Sequence, residues 1–223
     1  MYKQDLFMKS FLLILVHSLF VSIIIQGCGT PPPIPPSPLL SKKAVFKYRN
    51  QEIPQRLIIQ GEASILLLNV ELTSREAFIA FEGQRIFGQI ADLPAPNIYI
   101  DKNADIIGKA TVSGDILALR KNDGQLLWKI KVLPNQLKVA DNEEFVNARE
   151  IIKLDSNRMK VTLAGKEFAR VRFKDKQITI EVGKNILETP ADRNSFAYGL
   201  FMLADIPKEY RYALMTELLY RNL

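Results

Sequence analysis

From Ala44 onward, apolar and polar residues alternate with a period of two along most of the chain. "RMKVTL" sets Met159, Val161 and Leu163 on one side and Arg158, Lys160 and Thr162 on the other. "QITIEV" repeats the pattern with Ile178, Ile180 and Val182. Successive side chains leave a pleated strand on opposite faces, so these segments read as half-buried antiparallel strands. Turn signals separate them: Asn122-Asp123-Gly124 lies between "DILALRK" and "QLLWKIKV", Ala164-Gly165 precedes "KEFARVRF", and Gly183-Lys184-Asn185 follows "ITIEV". About a dozen strands follow from these signals, too many for one flat sheet. The expected body is mainly β, an antiparallel barrel or sandwich.

The pattern changes near the C-terminus. Ser195 to Ala204, "SFAYGLFMLA", is apolar almost all round and predicts a buried helix, being too short to span a bilayer. Asp205-Ile206-Pro207 ends it and starts a second helix. There Tyr210, Leu214 and Leu218 recur at i, i+4 and i+8 beside Met215 and Leu219, while Lys208, Glu209, Thr216 and Glu217 are polar. That helix is expected to be amphipathic and to pack by one face. The aromatic and aliphatic residues, including the sole tryptophan Trp128, are assigned to core.

The N-terminus follows a third pattern. Lys3 and Lys9 precede a mostly apolar run from Phe11 to Ile25, which is shorter than a membrane-spanning helix. Gln26-Gly27 and Cys28, the only cysteine, come next. "IQGC" resembles the lipobox of bacterial lipoprotein signal peptides, with Gln26 in place of the usual small residue. The resemblance implies cleavage before Cys28, a diacylglyceryl group on its thiol and a third acyl chain on its amine, which together make a lasting anchor. Gly29, where enterobacterial lipoproteins kept at the inner membrane carry aspartate, implies the outer membrane, with the body in the periplasm or at the cell surface. An uncleaved anchor is the other reading. "TPPPIPPSP", Thr30 to Pro38, reads as a polyproline II spacer rising about 3.1 Å per residue; a proline-rich ligand for an aromatic groove is its alternative. The expected organisation is a signal peptide over 1–27, a lipidated cysteine and tether over 28–43, and a β-rich domain with C-terminal helices over 44–223.

The body's layout is similar to the tubby-like C-terminal fold of tubby proteins, phospholipid scramblases and plant LURP-one-related proteins. The likeness lies in about a dozen meandering strands followed by an apolar helix, and in segments such as "GDILALRKNDGQLLWKIKV". It implies a closed barrel around a central helix from Ala44 to about Ala204, with the second helix as an addition. It implies no phosphoinositide site, because no basic motif matches residue by residue.

Composition narrows the chemistry. At 223 residues and 48% hydrophobic, the chain can build one main domain, and one cysteine rules out an intrachain disulfide. Without the signal segment, 28 basic and 23 acidic residues leave a net charge of +5, too modest to suggest nucleic acid. The only histidine, His17, lies in that segment, so Ser-His-Asp and Cys-His catalysis and histidine or cysteine zinc sites are excluded from the body. Ser-x-x-Lys and Gly-rich phosphate-loop or dinucleotide signatures are also missing, and no cofactor is expected.

Carboxylates and cations remain. Asp101, Asn103 and Asp105 have the spacing that opens an EF-hand loop, but Ile106 replaces its glycine and Val112 its bidentate glutamate, so a polar turn is expected. Asp141, Glu143 and Glu144 read as a solvated loop, the alternative being a glycosidase pair. Lys129, Lys131, Arg158, Lys160, Arg170 and Arg172 fall at outward positions of neighbouring hairpins and form the expected ligand-binding strip, suited to anionic lipid or a cell-wall polymer. The simpler reading is that these cations maintain solubility and guard edges. The sequence points to a non-catalytic binding or structural module of the envelope, with lipid, wall polymer or an envelope protein as partner. The competing readings are an envelope hydrolase with paired carboxylates and a lipid carrier with a hollow barrel.

Overall fold

A computed structural model describes residues 55–61 and 65–223. Cys28, the proline-rich stretch and the strand pattern expected over 44–54 lie outside the described residues. The described residues form one compact unit. Its strands are β1 (Gln55–Gln60), β2 (Leu66–Leu72), β3 (Glu76–Phe81), β4 (Gln84–Gln89) and β5 (Asn97–Asp101). They continue as β6 (Ile106–Ser113), β7 (Ile116–Arg120), β8 (Leu126–Leu133), β9 (Gln136–Ala140) and β10 (Arg149–Lys153). The last are β11 (Arg158–Leu163), β12 (Lys166–Lys174), β13 (Gln177–Val182) and β14 (Asn185–Pro190). Two helices follow, α1 (Phe196–Phe201) and α2 (Lys208–Tyr220).

The expected mainly β barrel is the fold found, with 14 strands among the described residues. Each strand pairs antiparallel with the next in chain order, giving an up-and-down meander. The sheet curls until β14 meets β1, where the Thr189 hydroxyl donates to the Ile58 carbonyl at 2.8 Å, leaving a nearly closed barrel. Hairpin chemistry matches the turn signals. At the β11–β12 turn, Ala164 and Gly165 both have positive φ, 49° and 76°, which suits the right-handed twist of the flanking strands.

Inward positions form one apolar core that includes Leu57, Val70, Ile79, Leu117, Trp128, Ile130, Val139, Val161 and Ile180. Met159, Val161, Ile178 and Ile180 face inward as the alternation predicts. Leu163 does not. A register shift between Val161 and Thr162 breaks the alternation, so Thr162 is buried and Leu163 is exposed.

The helices fill the barrel. Ser195 caps α1, its hydroxyl accepting from the Ala197 N–H at 3.2 Å. Phe196 to Leu200 are all buried, and α1 packs on β10, β11 and β12. The second helix departs from expectation. Every residue of α2 from Arg211 to Tyr220 is buried, and the helix touches β2 and β6. Its polar residues were expected to face solvent, but Thr216 and Glu217 lie inside. The Thr216 hydroxyl donates to the Tyr212 carbonyl at 2.8 Å, and the Arg211 guanidinium donates to the Phe201 carbonyl at 3.1 Å. An inward-facing polar residue is tolerated here because each finds a partner.

The helix hairpin is fastened at its turn. Arg149 at the start of β10 lies over the Trp128 ring, 4.7 Å from its centroid, and its Nε donates to Asp205 at 2.7 Å. Lys208 pairs with Glu82 in the β3–β4 turn. Close packing against the wall depends on Gly199, where a Cβ would stand 2.4 Å from Ile151 Cγ2. Gly199→Ala is therefore expected to lose about 1–3 kcal/mol through overpacking, measured by urea unfolding. Unchanged stability would show that the helix has room to shift.

Candidate functional site

The six cations of the expected strip fall into two groups. On β11 and β12, Arg158 lies directly opposite Arg172 and Lys160 opposite Arg170, away from the core. Lys129 and Lys131 stand on β8, with Lys138 of β9 and Glu150 of β10 beside them in register. Five of the six are engaged by carboxylates. Arg158 Nε is 2.6 Å from Asp155, Arg172 is 3.4 Å from Glu181, Lys131 is 4.0 Å from Asp115, and Arg170 pairs with Glu167. Lys160 alone of the six has no ion pair among the described residues.

Lys129 is not presented to solvent. It projects outward but is only 5% exposed, because the loop of residues 141–148 folds over it. Its ammonium donates to the Glu143 carboxylate at 2.9 Å and to the Glu143 carbonyl, and stands 4.4 Å from the centroid of the Phe145 ring. Arg120 holds the other carboxylate oxygen of Glu143 at 2.7 Å. Hydrogen bonds from Lys129 and then Arg120 hold the Glu143 carboxyl below its ordinary range. Asn142 closes the loop on itself, accepting from the Val146 N–H at 2.8 Å and donating to the Val146 carbonyl at 2.9 Å. Phe145 and Asn147 adopt positive φ to make this possible. Read from sequence, this acidic stretch was a solvated loop; in the fold, Glu143 is its anchor.

Asp101 serves its own turn, its carboxylate accepting from the backbone N–H groups of Asn103 at 2.8 Å and Asp105 at 2.9 Å. The expected polar turn between β5 and β6 is what stands there. Among the described residues, no cluster of three histidine, cysteine, aspartate or glutamate side chains could hold a metal ion.

The sequence reading missed the buried centre of the barrel. Glu217 of α2, fully enclosed, accepts from Asn97 Nδ2 and from the Tyr99 hydroxyl, each at 2.7 Å. Its other oxygen lies 2.8 Å from the Arg221 guanidinium, itself buried. Asn97 Oδ1 in turn accepts from the Ala91 N–H at 2.8 Å. Burial, then the charge and hydrogen bond of Glu217, push the Tyr99 phenol well above its ordinary value, so it remains a donor. Two local signals were present: glutamate four residues before arginine on a helix, and Asn97 and Tyr99 on the same face of a strand. Nothing local says that they meet. Sealed from solvent and shared among three partners, Glu217 ties α2 to β5.

Where α2 leaves the barrel, a cavity of about 40 Å³ is lined by Lys153, Arg193, Asn194, Ser195 and Asn222. Lys153 stands 4.1 Å from the centroid of the Phe196 ring, and burial lowers its pKa. That volume suits a few water molecules, not a lipid or a sugar chain.

Two outcomes test these assignments. Glu217→Leu, which removes the carboxylate that buried Arg221, Asn97 and Tyr99 share, is expected to cost about 3–5 kcal/mol, and Glu217→Leu with Arg221→Met less; equal losses in urea unfolding would mean the pair is not coupled. Glu143→Gln is expected to speed amide hydrogen exchange across 142–147 severalfold, and an unchanged rate would show that Lys129 does not hold the loop. Comparison with family models, with curated proteins and with solved structures finds no match to this chain.

Proposed function

We propose that the chain is an envelope lipoprotein, anchored through acyl chains on Cys28, whose barrel acts as a non-catalytic binding or structural module. The observation that carries this reading is the filled lumen. With α1 and α2 packed inside and Glu217 bonded to the wall, ligands must be met on the outside. A lipid carrier would need that lumen empty, and a carboxylate hydrolase would need a second acid across a cleft from the first. Membrane-spanning barrels carry their apolar band outside and polar residues within. The apolar lumen here, with Lys131, Lys138, Lys160 and Arg170 outside, has the reverse polarity.

The four cations of β11 and β12 are the proposed contact for anionic lipid or a cell-wall polymer. Three of them have exposed or half-buried carboxylate partners, and ion pairs at the surface are worth little, so an anionic polymer can displace these. Binding should then fall steeply with salt. For the unit 41–223, Lys160→Glu with Arg172→Glu is expected to weaken cosedimentation with anionic vesicles or cell-wall sacculi severalfold at low salt. Cosedimentation equal to the parent's would reduce the strip to a solubilising surface.

A further inference from the structure

The side of the barrel made by β2 to β6 has a different outer surface. Strand register places Phe78 opposite Phe87, Phe87 opposite Ile100, and Ile100 opposite Ile106. These four directly paired apolar residues run across four adjacent strands. The two phenyl rings pack at 5.5 Å between centroids. A register shift between Tyr99 and Ile100 packs Ile107 against the core and leaves Ile106 outside. None of the four belongs to the core; Phe87 is 41% and Ile106 42% exposed. On the same side, at the start of β2, Ile65 is 63% and Leu66 48% exposed. Corresponding outward positions on β8 to β13 are largely charged, among them Lys131, Lys138, Glu150, Lys160, Arg170, Arg172 and Glu181.

We infer that this apolar side rests on the lipid bilayer, placing Phe87 and Ile106 at the boundary between headgroups and acyl chains. The inference builds on the proposed anchoring through Cys28. Gln55 lies 27 positions after Cys28, a reach of up to about 90 Å when extended, so any side of the barrel can meet the membrane. Tethering raises the effective concentration of bilayer to the millimolar range, where a shallow apolar face suffices. The ladder crosses three inter-strand gaps, about 14 Å. A stable protein partner needs about 800 Å² on each side with complementary shape. A fluid bilayer accepts separate aliphatic and aromatic side chains without that complementarity. Arg85, Lys102 and Lys109 flank the patch, Glu76 and Asp105 stand on the same side, and Glu71, directly opposite Phe78 on β2, is paired with Arg56, so charge nearly cancels and apolar burial must dominate.

The test uses the full chain with Cys28 acylated, confirmed by mass spectrometry, in vesicles of phosphatidylcholine with or without bromine-labelled acyl chains. A tryptophan reporter is placed by Phe87→Trp, by Ile106→Trp as an independent second variant, and by Lys160→Trp on the charged side; native Trp128 is buried and supplies the baseline. Emission added by Phe87→Trp and by Ile106→Trp should be quenched at least twofold by brominated lipid and remain so at about 0.5 M salt, where counterions screen charge but not apolar contact. Emission added by Lys160→Trp should not respond. No quenching at either apolar position in the acylated protein overturns the inference and leaves the anchor standing, whereas absence of an acyl mass removes both. Quenching in the Lys160→Trp variant instead would place the basic strip against the membrane, and so would also overturn the inference. Blue-shifted emission of the Phe87→Trp variant in vesicle-free solution, lost on dilution, would assign the patch to a second copy of the chain, with the same consequence.

Discussion

A barrel of 14 strands is too wide for its inner side chains to meet across the lumen. Something apolar must occupy the middle, and the rest of this structure depends on how that requirement is met. The chain uses its own C-terminal segment, turned at residues 202–207 and inserted as an antiparallel pair of helices. Because α1 and α2 are enclosed on all sides, neither needs a polar face. Gly199 lets α1 approach Ile151, and Phe81 and Phe201 pack around Tyr212, with ring centroids 4.7 Å and 6.3 Å away.

An apolar plug by itself could slide or rotate within an apolar wall. The Glu217 network removes that freedom, since only one axial position brings its carboxylate to Asn97 and Tyr99 of β5 together. A buried ion pair contributes little net stability relative to apolar residues of similar volume, yet separating its members is costly. Here the pair lies at one end of α2 itself, and the hydrogen bonds from Asn97 and Tyr99 are what specify one packing of helix against strand. Arg149 with Asp205, and Lys208 with Glu82, hold the turn of the helix pair at the opposite end.

The interior is committed to packing, and the outer surface is uneven. Around β11 and β12, cations stand beside carboxylates in short exposed pairs; around β3 to β6, apolar residues line up from strand to strand. The division leaves the barrel with two kinds of outer face, one charged and one apolar.

Much of the fold is legible in the sequence because strand alternation, hairpin turns and capping are local. Met159 and Ile178 show their facing within their own segments, Gly165 marks its turn, and Ser195 marks the start of α1. What failed was what depends on partners distant in the chain. The polar residues of α2 suggest a solvent face when read along the helix, and only the enclosing wall supplies the Asn97 and Tyr99 that let Glu217 be buried. Lys129 reads as an outward cation, and the fold of residues 141–148 decides that it is covered. The register shift at Val161 reverses Leu163 because two hairpin strands differ by one residue, a property of the pair and not of either strand. Sequence thus determined the β meander, its core-facing positions and the absence of an imidazole from the body, all set by residue type and short-range periodicity. Tertiary structure alone decided which helix fills the barrel and which outer residues stand together, because both depend on contacts between segments that no local pattern encodes.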